Sequence, residues 1–239
     1  MWISMNIVVL TGAGISAESG VPTFRASDGL WEGHRVEEVA TPEGFAANPA
    51  LVQQFYNQRR AFLSEVEPNA AHLALAELAA RWQGDFTLVT QNVDDLHDRA
   101  HERIKPADGF SLIHMHGELL KVRCTRTGKV RDWHSDLQPY HPSPFDPAGY
   151  LRPHIVWFGE IPLEMERIEK ALSECEIFLS IGTSGNVYPA AGFVQLAAMA
   201  GARTIEINLE PTVGRNLFSE HLYGPATKVL PPFLADLQP

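Results

Sequence analysis

The apolar run Ile7-Val8-Val9-Leu10 passes directly into Thr11-Gly12-Ala13-Gly14-Ile15-Ser16-Ala17, and this junction constrains the fold more than any other stretch. Consecutive apolar residues stopped by glycine form the pattern of a strand buried on both faces that breaks into a tight turn. The turn fits G-x-G-x-x-A, where small residues let backbone approach a pyrophosphate and a helix N-terminus favours the negative charge. Such a strand needs parallel neighbours and helices over both faces. A dehydrogenase would place an acid at the end of a second strand about twenty residues later. Here that region reads Asp28-Gly29-Leu30-Trp31 and then turns polar and helical, so hydride transfer is disfavoured.

The same alternation recurs along the chain. Short apolar runs predict strands at 86–90, 112–116, 154–158, 177–181 and 204–208, with a last strand at 227–230 and a helical end. Three- and four-residue apolar spacings predict helices from Asn69 to Trp82, Asp94 to His101, Leu163 to Ser173 and Ala190 to Ala200, and short helices within 34–67. The expected fold is α/β, a Rossmann-like parallel sheet with helices on both faces. Residues 1–29, 69–116 and 154–239 form this domain. Residues 30–68 and 117–153 interrupt it and are expected to join as a small domain. The second insertion is rich in proline, at 139, 142, 144, 147 and 153, and reads as irregular.

Composition narrows the function. The 239 residues carry a formal net charge of -10 and no Lys/Arg run, which argues against a nucleic-acid partner. Two cysteines, Cys124 and Cys175, are too few for a disulfide framework and fit a reducing compartment. Residues Met1–Asn6 lack a cationic segment, and Ile7–Leu10 is too short for a signal or a membrane span. The expectation is a cytoplasmic monomer without a membrane partner.

Function becomes specific in the longer run Gly12-Ala13-Gly14-Ile15-Ser16-Ala17-Glu18-Ser19-Gly20-Val21-Pro22-Thr23-Phe24-Arg25, followed by Thr90-Gln91-Asn92-Val93-Asp94-Asp95-Leu96-His97, His116-Gly117-Glu118, Gly182-Thr183-Ser184 and Asn208-Leu209-Glu210. In order and spacing these motifs resemble the sirtuin family, from about Asn6 to about Leu234, closest to bacterial members that remove acetyl and succinyl groups. The resemblance implies a protein-lysine deacylase that consumes NAD and releases nicotinamide and O-acyl-ADP-ribose. Nicotinamide leaves, and the acyl oxygen of the substrate lysine attacks C1′ of the ribose. That requires a rigidly held ribose.

The resemblance assigns His116 as the base, a role suited to a neutral imidazole, with Asn92 and Asp94 also acting in the chemistry. It places Gly12, Ala13, Gly14, Glu18, Thr23, Phe24, Arg25, Trp31, Gln91, Asn92, Val93, Asp94, Gly182, Thr183, Ser184, Asn208, Leu209, Glu210 and Ala226 around NAD. Val156, Phe158, Gly159 and Val187 would pair with an extended acyl-lysine peptide. Tyr56 and Arg59 share a helix face. Taken alone they read as a solvated surface, but they resemble the pair that lines the acyl pocket in sirtuins preferring acidic acyl groups. Arg59 would then grip a succinyl or malonyl carboxylate, and Tyr56 would donate to it.

Several residues keep plainer readings. His114 is taken as structural, and His97 and His101, four apart, as a solvated helix face, although that spacing can bind zinc. Many sirtuins brace the second insertion with zinc on four cysteines. Here only Cys124 occupies such a position and Cys175 lies outside the insertion, so no metal is expected there. Two alternatives to the deacylase stay open: an ADP-ribosyltransferase on the same NAD pocket, and a non-catalytic NAD-binding module.

Overall fold

The computed structural model describes residues 5–23, 30–31 and 33–238, with backbone alone for residues 30 and 31. In chain order its strands and α-helices are β1 (Ile7–Thr11), α1 (Ala13–Ser16), β2 (Leu30–Trp31), β3 (His34–Arg35), α2 (Val36–Val39), α3 (Pro42–Ala47), α4 (Pro49–Phe62), α5 (Ala70–Arg81), β4 (Phe86–Thr90), α6 (Leu96–Arg103), β5 (Phe110–His114), β6 (Gly117–Cys124), β7 (Val130–Asp132), β8 (Pro142–Ser143), β9 (Asp146–Ile155), α7 (Met165–Glu174), β10 (Ile177–Ile181), α8 (Phe193–Met199), β11 (Arg203–Asn208), β12 (Glu220–Tyr223) and α9 (Ala226–Asp236).

Six strands make one all-parallel sheet in the order β12-β11-β10-β1-β4-β5. Every residue of β1 is buried, because the strand feeds two cores with alternate side chains. Ile7 and Val9 pack with Leu75 and Leu78 of α5, with Trp82 just after it, and with Leu230 and Leu234 of α9. Val8 and Leu10 pack with Ile168 and Leu172 of α7 and Phe193 and Val194 of α8. Strand order reverses at β1: β4 and β5 extend one side, β10 and β11 the other. In a doubly wound sheet the carboxyl ends of strands at such a reversal open a crevice.

The first insertion folds as helices started by side-chain caps. Thr41 and Asn48 accept hydrogen bonds from Gly44 N and Leu51 N, each followed by proline at the first helical position. The second insertion contributes to a four-stranded antiparallel sheet, β7-β6-β9-β8. The insertions join through one apolar cluster holding Val52, Phe55 and Tyr56 of α4, Leu119 of β6 and Ile155 and Trp157 at the end of β9.

Four expectations are corrected. The proline-rich stretch carries β7, β8 and β9 joined by loop and turns, and the run at 154–158 is the end of β9 with the turn after it, not a strand of the parallel sheet. Pro153 is tolerated because the β6–β9 register shifts beside it, between Glu118 and Val122, so no ladder N–H is needed there. Residues 227–230 are helical: the Glu18 carboxylate accepts from Thr227 N (2.9 Å) and Thr227 Oγ1 (2.7 Å), capping α9 from another element. The edge strand is instead β12, whose half-exposed Glu-His-Leu-Tyr carries little apolar signal. Finally, His97 and His101 are buried, not solvated. His97 Nε2 lies 3.0 Å from Thr11 Oγ1, and the His101 ring packs 4.2 Å from that of Phe110.

Candidate active site

A cleft of about 760 Å3 opens at the carboxyl ends of β1, β4, β10 and β11 and runs under the helical insertion to Tyr56, Arg59 and Phe62. Its nucleotide half begins where two glycine turns touch. Gly14 N donates to Gly182 O (2.7 Å) and Gly12 N to Ile181 O (3.0 Å). A Cβ on Gly182 would stand 2.5 Å from Ile15 N, and one on Gly14 2.7 Å from Gly182 Cα; Gly182 also adopts φ +61°, which favours glycine. The glycines are thus explained by close packing of two strand ends. Ile15 N also donates internally, to Gly12 O at 3.1 Å, so three amides of the first turn are already used.

Ser16, in α1, is the hub beneath this turn. Its Oγ accepts from Asn92 Nδ2 (3.0 Å) and donates to Asp94 Oδ2 (2.9 Å). His72 approaches the same oxygen at 3.4 Å through Nε2. Because His72 Nδ1 accepts from Asn69 N (3.3 Å), the proton of the neutral ring sits on Nε2. Burial pushes His72 down to about 3, with Arg99 adding to it, so this ring stays neutral. Burial pushes Asp94 up to about 6, against the opposing pull of hydrogen bonds from Leu96 N and Ser16. A carboxylate held this way has its charge poorly solvated and is available to a developing positive charge.

His116 follows β5 in a turn and lines the same cleft. Its Nδ1 lies 3.0 Å from Gln91 O. A carbonyl only accepts, so Nδ1 carries the proton and Nε2 is the basic nitrogen of the neutral ring. Burial lowers the pKa of this imidazole from its ordinary value, with the Gln91 carbonyl opposing. Gln91 Nε2 donates to Thr183 Oγ1 (3.0 Å) and Asn208 Nδ2 to Thr183 O (2.8 Å), tying three strand ends together.

The other half of the cleft is walled by α4 and the segment after β9. Tyr56 and Arg59 are 0% and 8% exposed, so neither lies on a solvated face. Trp157 Nε1 donates to Tyr56 Oη at 2.9 Å, and burial raises the phenol pKa, keeping it protonated. The Arg59 guanidinium lies over the Phe55 ring, with Nη1 donating to Phe55 O at 2.8 Å. The Trp157 indole is itself stacked by Arg152 at 3.4 Å. Glu160 joins Arg152 and Arg123 at 2.7–2.9 Å and accepts from Trp157 N at 2.9 Å.

The cleft brings together Gly12, Ala13, Gly14, Thr23, Gln91, Asn92, Val93, Asp94, His116, Gly182, Thr183, Ser184, Asn208, Leu209, Glu210, Tyr56, Arg59, Val156, Phe158, Gly159 and Val187. Glu18 and Ala226 are not part of its lining: Glu18 caps α9, and Ala226 opens that helix. Phe24 and Arg25 lie outside the described residues, and only the backbone of Trp31 is described. Sequence reasoning gave no role to Ser16 or the Pro211–Val213 wall, and offered Trp157 and Glu160 only as parts of a peptide-pairing edge. Ser16 sits inside the quoted first motif and Trp157 between two predicted peptide contacts, so both were within reach.

Among the described residues, the group of side chains at ligand spacing is Asp98, His114 and Glu118. His114 is paired with Asp98 (3.1 Å) and Glu118 with Lys121 (2.9 Å), so these charges are already balanced. Cys124 is buried and belongs to no such group among the described residues.

The Sir2 family profile matches residues 12–189. The chain belongs to the Sir2 family. It is 60% identical to an NAD-dependent protein deacylase of Pasteurella multocida (strain Pm70) over 234 residues, 97% of each chain. It is 58% identical to one of Escherichia coli (strain K12) over 237 residues, 97% of this chain and 82% of that one. Among solved structures it resembles a Sir2 homologue–NAD complex (TM-score 0.83, 36% identity, 96% of this chain and 88% of that one). A Sir2 homologue mutant bound to ADP-ribose gives a TM-score of 0.84 at the same identity, over 96% and 90% of the two chains. The parallel sheet with an attached antiparallel module is the sirtuin architecture.

Proposed function

We propose that this sirtuin removes acyl groups from protein lysines with NAD as co-substrate, releasing nicotinamide and O-acyl-ADP-ribose. The observation that carries this reading is one cleft holding a tautomer-fixed His116, the Ser16-linked pair Asn92 and Asp94, and the buried Tyr56 and Arg59. NAD supplies the leaving nicotinamide and an electrophilic ribose carbon. Gln91, Asn92 and Asp94 orient the ribose and stabilise positive charge on it. His116 Nε2 takes a proton from a ribose hydroxyl. Glycine-lined turns and the Asn208–Glu210 end of β11 receive the adenosine side.

The finer reading is a preference for acidic acyl groups beside acetyl. Arg59 supplies a cation at the end of the cleft, and Tyr56 a protonated phenol. Four of the five N–H groups in 156–160 donate within the protein: Val156 to His116 O (2.8 Å), Trp157 to Glu160, Phe158 to Ala40 O (2.9 Å) and Glu160 to Trp157 O (2.9 Å). A substrate strand therefore pairs mainly with carbonyls of this segment and with Gly159 N. In this reading residues 30–68 and 117–153 act as the small domain, and the protein works as a cytoplasmic monomer without nucleic acid. Two buried free thiols and the acidic balance support that setting, and among the described residues no helix is long and apolar enough to cross a membrane.

Mass spectrometry of acetyl-, malonyl- and succinyl-lysine peptides incubated with and without NAD tests the whole reading. Free lysine and a matching O-acyl-ADP-ribose, both requiring NAD, are expected. NAD loss that proceeds equally without an acylated peptide would overturn it.

A further inference from the structure

Glu206 stands out as a carboxylate that the chemistry above does not use. It sits in β11, 1% exposed, where its strand neighbours Ile205 and Ile207 are core residues. A lone charge in such a place costs several kcal/mol unless it is fully hydrogen-bonded. Glu206 is. Oε1 accepts from Thr212 N (3.1 Å) and from Thr212 Oγ1. Oε2 accepts from Tyr223 Oη (2.8 Å) and from His221 Nδ1 (3.2 Å). Burial would raise this carboxyl, but the bonds from Thr212, Tyr223 and His221 bring it below the usual range.

These bonds connect three elements: the strand itself, the edge strand β12, and the loop that leaves β11 at the cleft. The loop is otherwise lightly held. Leu209 and Val213 are 65% and 88% exposed, yet residues 209–213 form one wall of the cleft. Thr212 is where the wall is fixed. Its side chain bonds Glu206 and faces Gly185 of the opposite turn, where a side-chain Cβ would stand 3.7–4.0 Å from the Thr212 side chain.

We infer that Glu206 is a positioning residue for the nucleotide: it latches Thr212 and so sets the gap between the 209–213 wall and the 182–185 turn, where ADP-ribose binds. This rests on the reading that the cleft takes NAD. Charge-assisted hydrogen bonds are the strong ones, which accounts for a carboxylate where the strand would accept an apolar residue.

The test compares wild type with Glu206→Gln and Thr212→Val, using calorimetry with ADP-ribose well below the melting temperature, plus steady-state kinetics in NAD. Glu206→Gln is expected to weaken ADP-ribose and raise KM for NAD by roughly tenfold, leaving kcat at saturating NAD within about twofold. Thr212→Val is expected to weaken both by about threefold. Because the two residues form one contact, the double variant should lose no more than Glu206→Gln alone. Thr212→Val leaves the carboxylate in place and serves if the glutamine variant does not fold. A lower melting temperature with unchanged Kd and KM in both variants means a purely structural carboxylate and overturns the latch. Failure of wild type to bind ADP-ribose overturns the NAD reading and the latch with it; normal wild-type binding with unaffected variants overturns the latch alone.

Discussion

The two halves of the cleft are stabilised in opposite ways. On the nucleotide side, ionisable groups are held against their solvation preference: Asp94 pushed up to about 6, His72 down to about 3, His97 well below its ordinary value, all by burial first. On the acyl side, polar groups are satisfied by fixed neighbours: Trp157 on Tyr56, Arg152 and Arg123 on Glu160, Phe55 under Arg59. On the proposed function, tension sits where charge would develop, and rigidity where an acyl group would be selected. Preorganised, poorly solvated charge favours a transition state, whereas discrimination between acyl groups needs fixed polar partners that are costly to leave unmet.

The largest effect that could break this contrast is at His116. His116→Gln should lower kcat by about 10²–10⁴-fold equally for acetyl and succinyl peptides, with ADP-ribose affinity nearly unchanged. Single-turnover assays and calorimetry check this, and a loss confined to one acyl group would move His116 to the selective half. Arg59→Met should cut kcat/KM for succinyl peptides roughly ten- to a hundredfold while sparing deacetylation. Equal losses on both substrates would mean that Arg59 only holds α4 in place.

Titration separates the halves further. Asp94 and His116 both act deprotonated, so kcat/KM should fall on the acid side, beginning as Asp94 takes its proton near pH 6, with the His116 limb below the ordinary imidazole value. The acyl-side ratio of succinyl to acetyl activity should stay flat over pH 6–8. Stability carries mixed signs. Asp94 has a folded pKa above its unfolded one, so it destabilises the fold at neutral pH, and that penalty is relieved as pH falls from about 6 toward 4. His72, His101 and His154, lowered to about 3, 4 and 4, do the reverse: below about pH 6.5 the unfolded chain binds protons that the folded chain refuses, and stability is lost. Asp94→Asn should thus raise stability at pH 7.5 by on the order of 2 kcal/mol while removing activity. Denaturant melts at pH 7.5 and 5 check it, and a destabilised Asn variant at pH 7.5 would show that the carboxylate braces the fold.

A smaller effect is expected at Trp157. Trp157→Phe keeps most of the apolar packing and removes one donor to Tyr56, so succinyl kcat/KM should fall about fivefold, for a hydrogen bond of about 1 kcal/mol, with acetyl activity unchanged. A larger loss on acetyl peptides would show that the indole positions the lysine stem instead.

The parallel strands were readable because a strand buried on both faces has an almost uninterrupted apolar run, as in Ile7–Thr11 and Ile177–Ile181. The motif residues could be read for the same local reason: turns at strand ends need particular residues in a fixed order. What could not be read depends on distant partners. Pro153 looks like a breaker until β6 supplies an irregular register, and Pro147 until β8 does. His97 and His101 look solvated until Thr11 and Phe110 arrive over them. Glu18 reads as part of the first motif, but its carboxylate is spent on a helix 209 residues away. Glu206 has the same character: a charge inside a strand gives no local sign of the loop it holds.

The central position of β1 has a consequence for the order in which the protein can be made. Its neighbour β10 pairs Ile7 with Ile177 and Val9 with Leu179, so β1 leaves the ribosome and waits for a partner about 170 residues behind it. Contacts of such separation close late. Gly14 meets Gly182 only at that stage, so a nascent chain that has folded through β5 still has no nucleotide pocket. Cofactor can therefore reward completion of the fold but cannot nucleate it, and ADP-ribose added during refolding should slow unfolding without hastening folding.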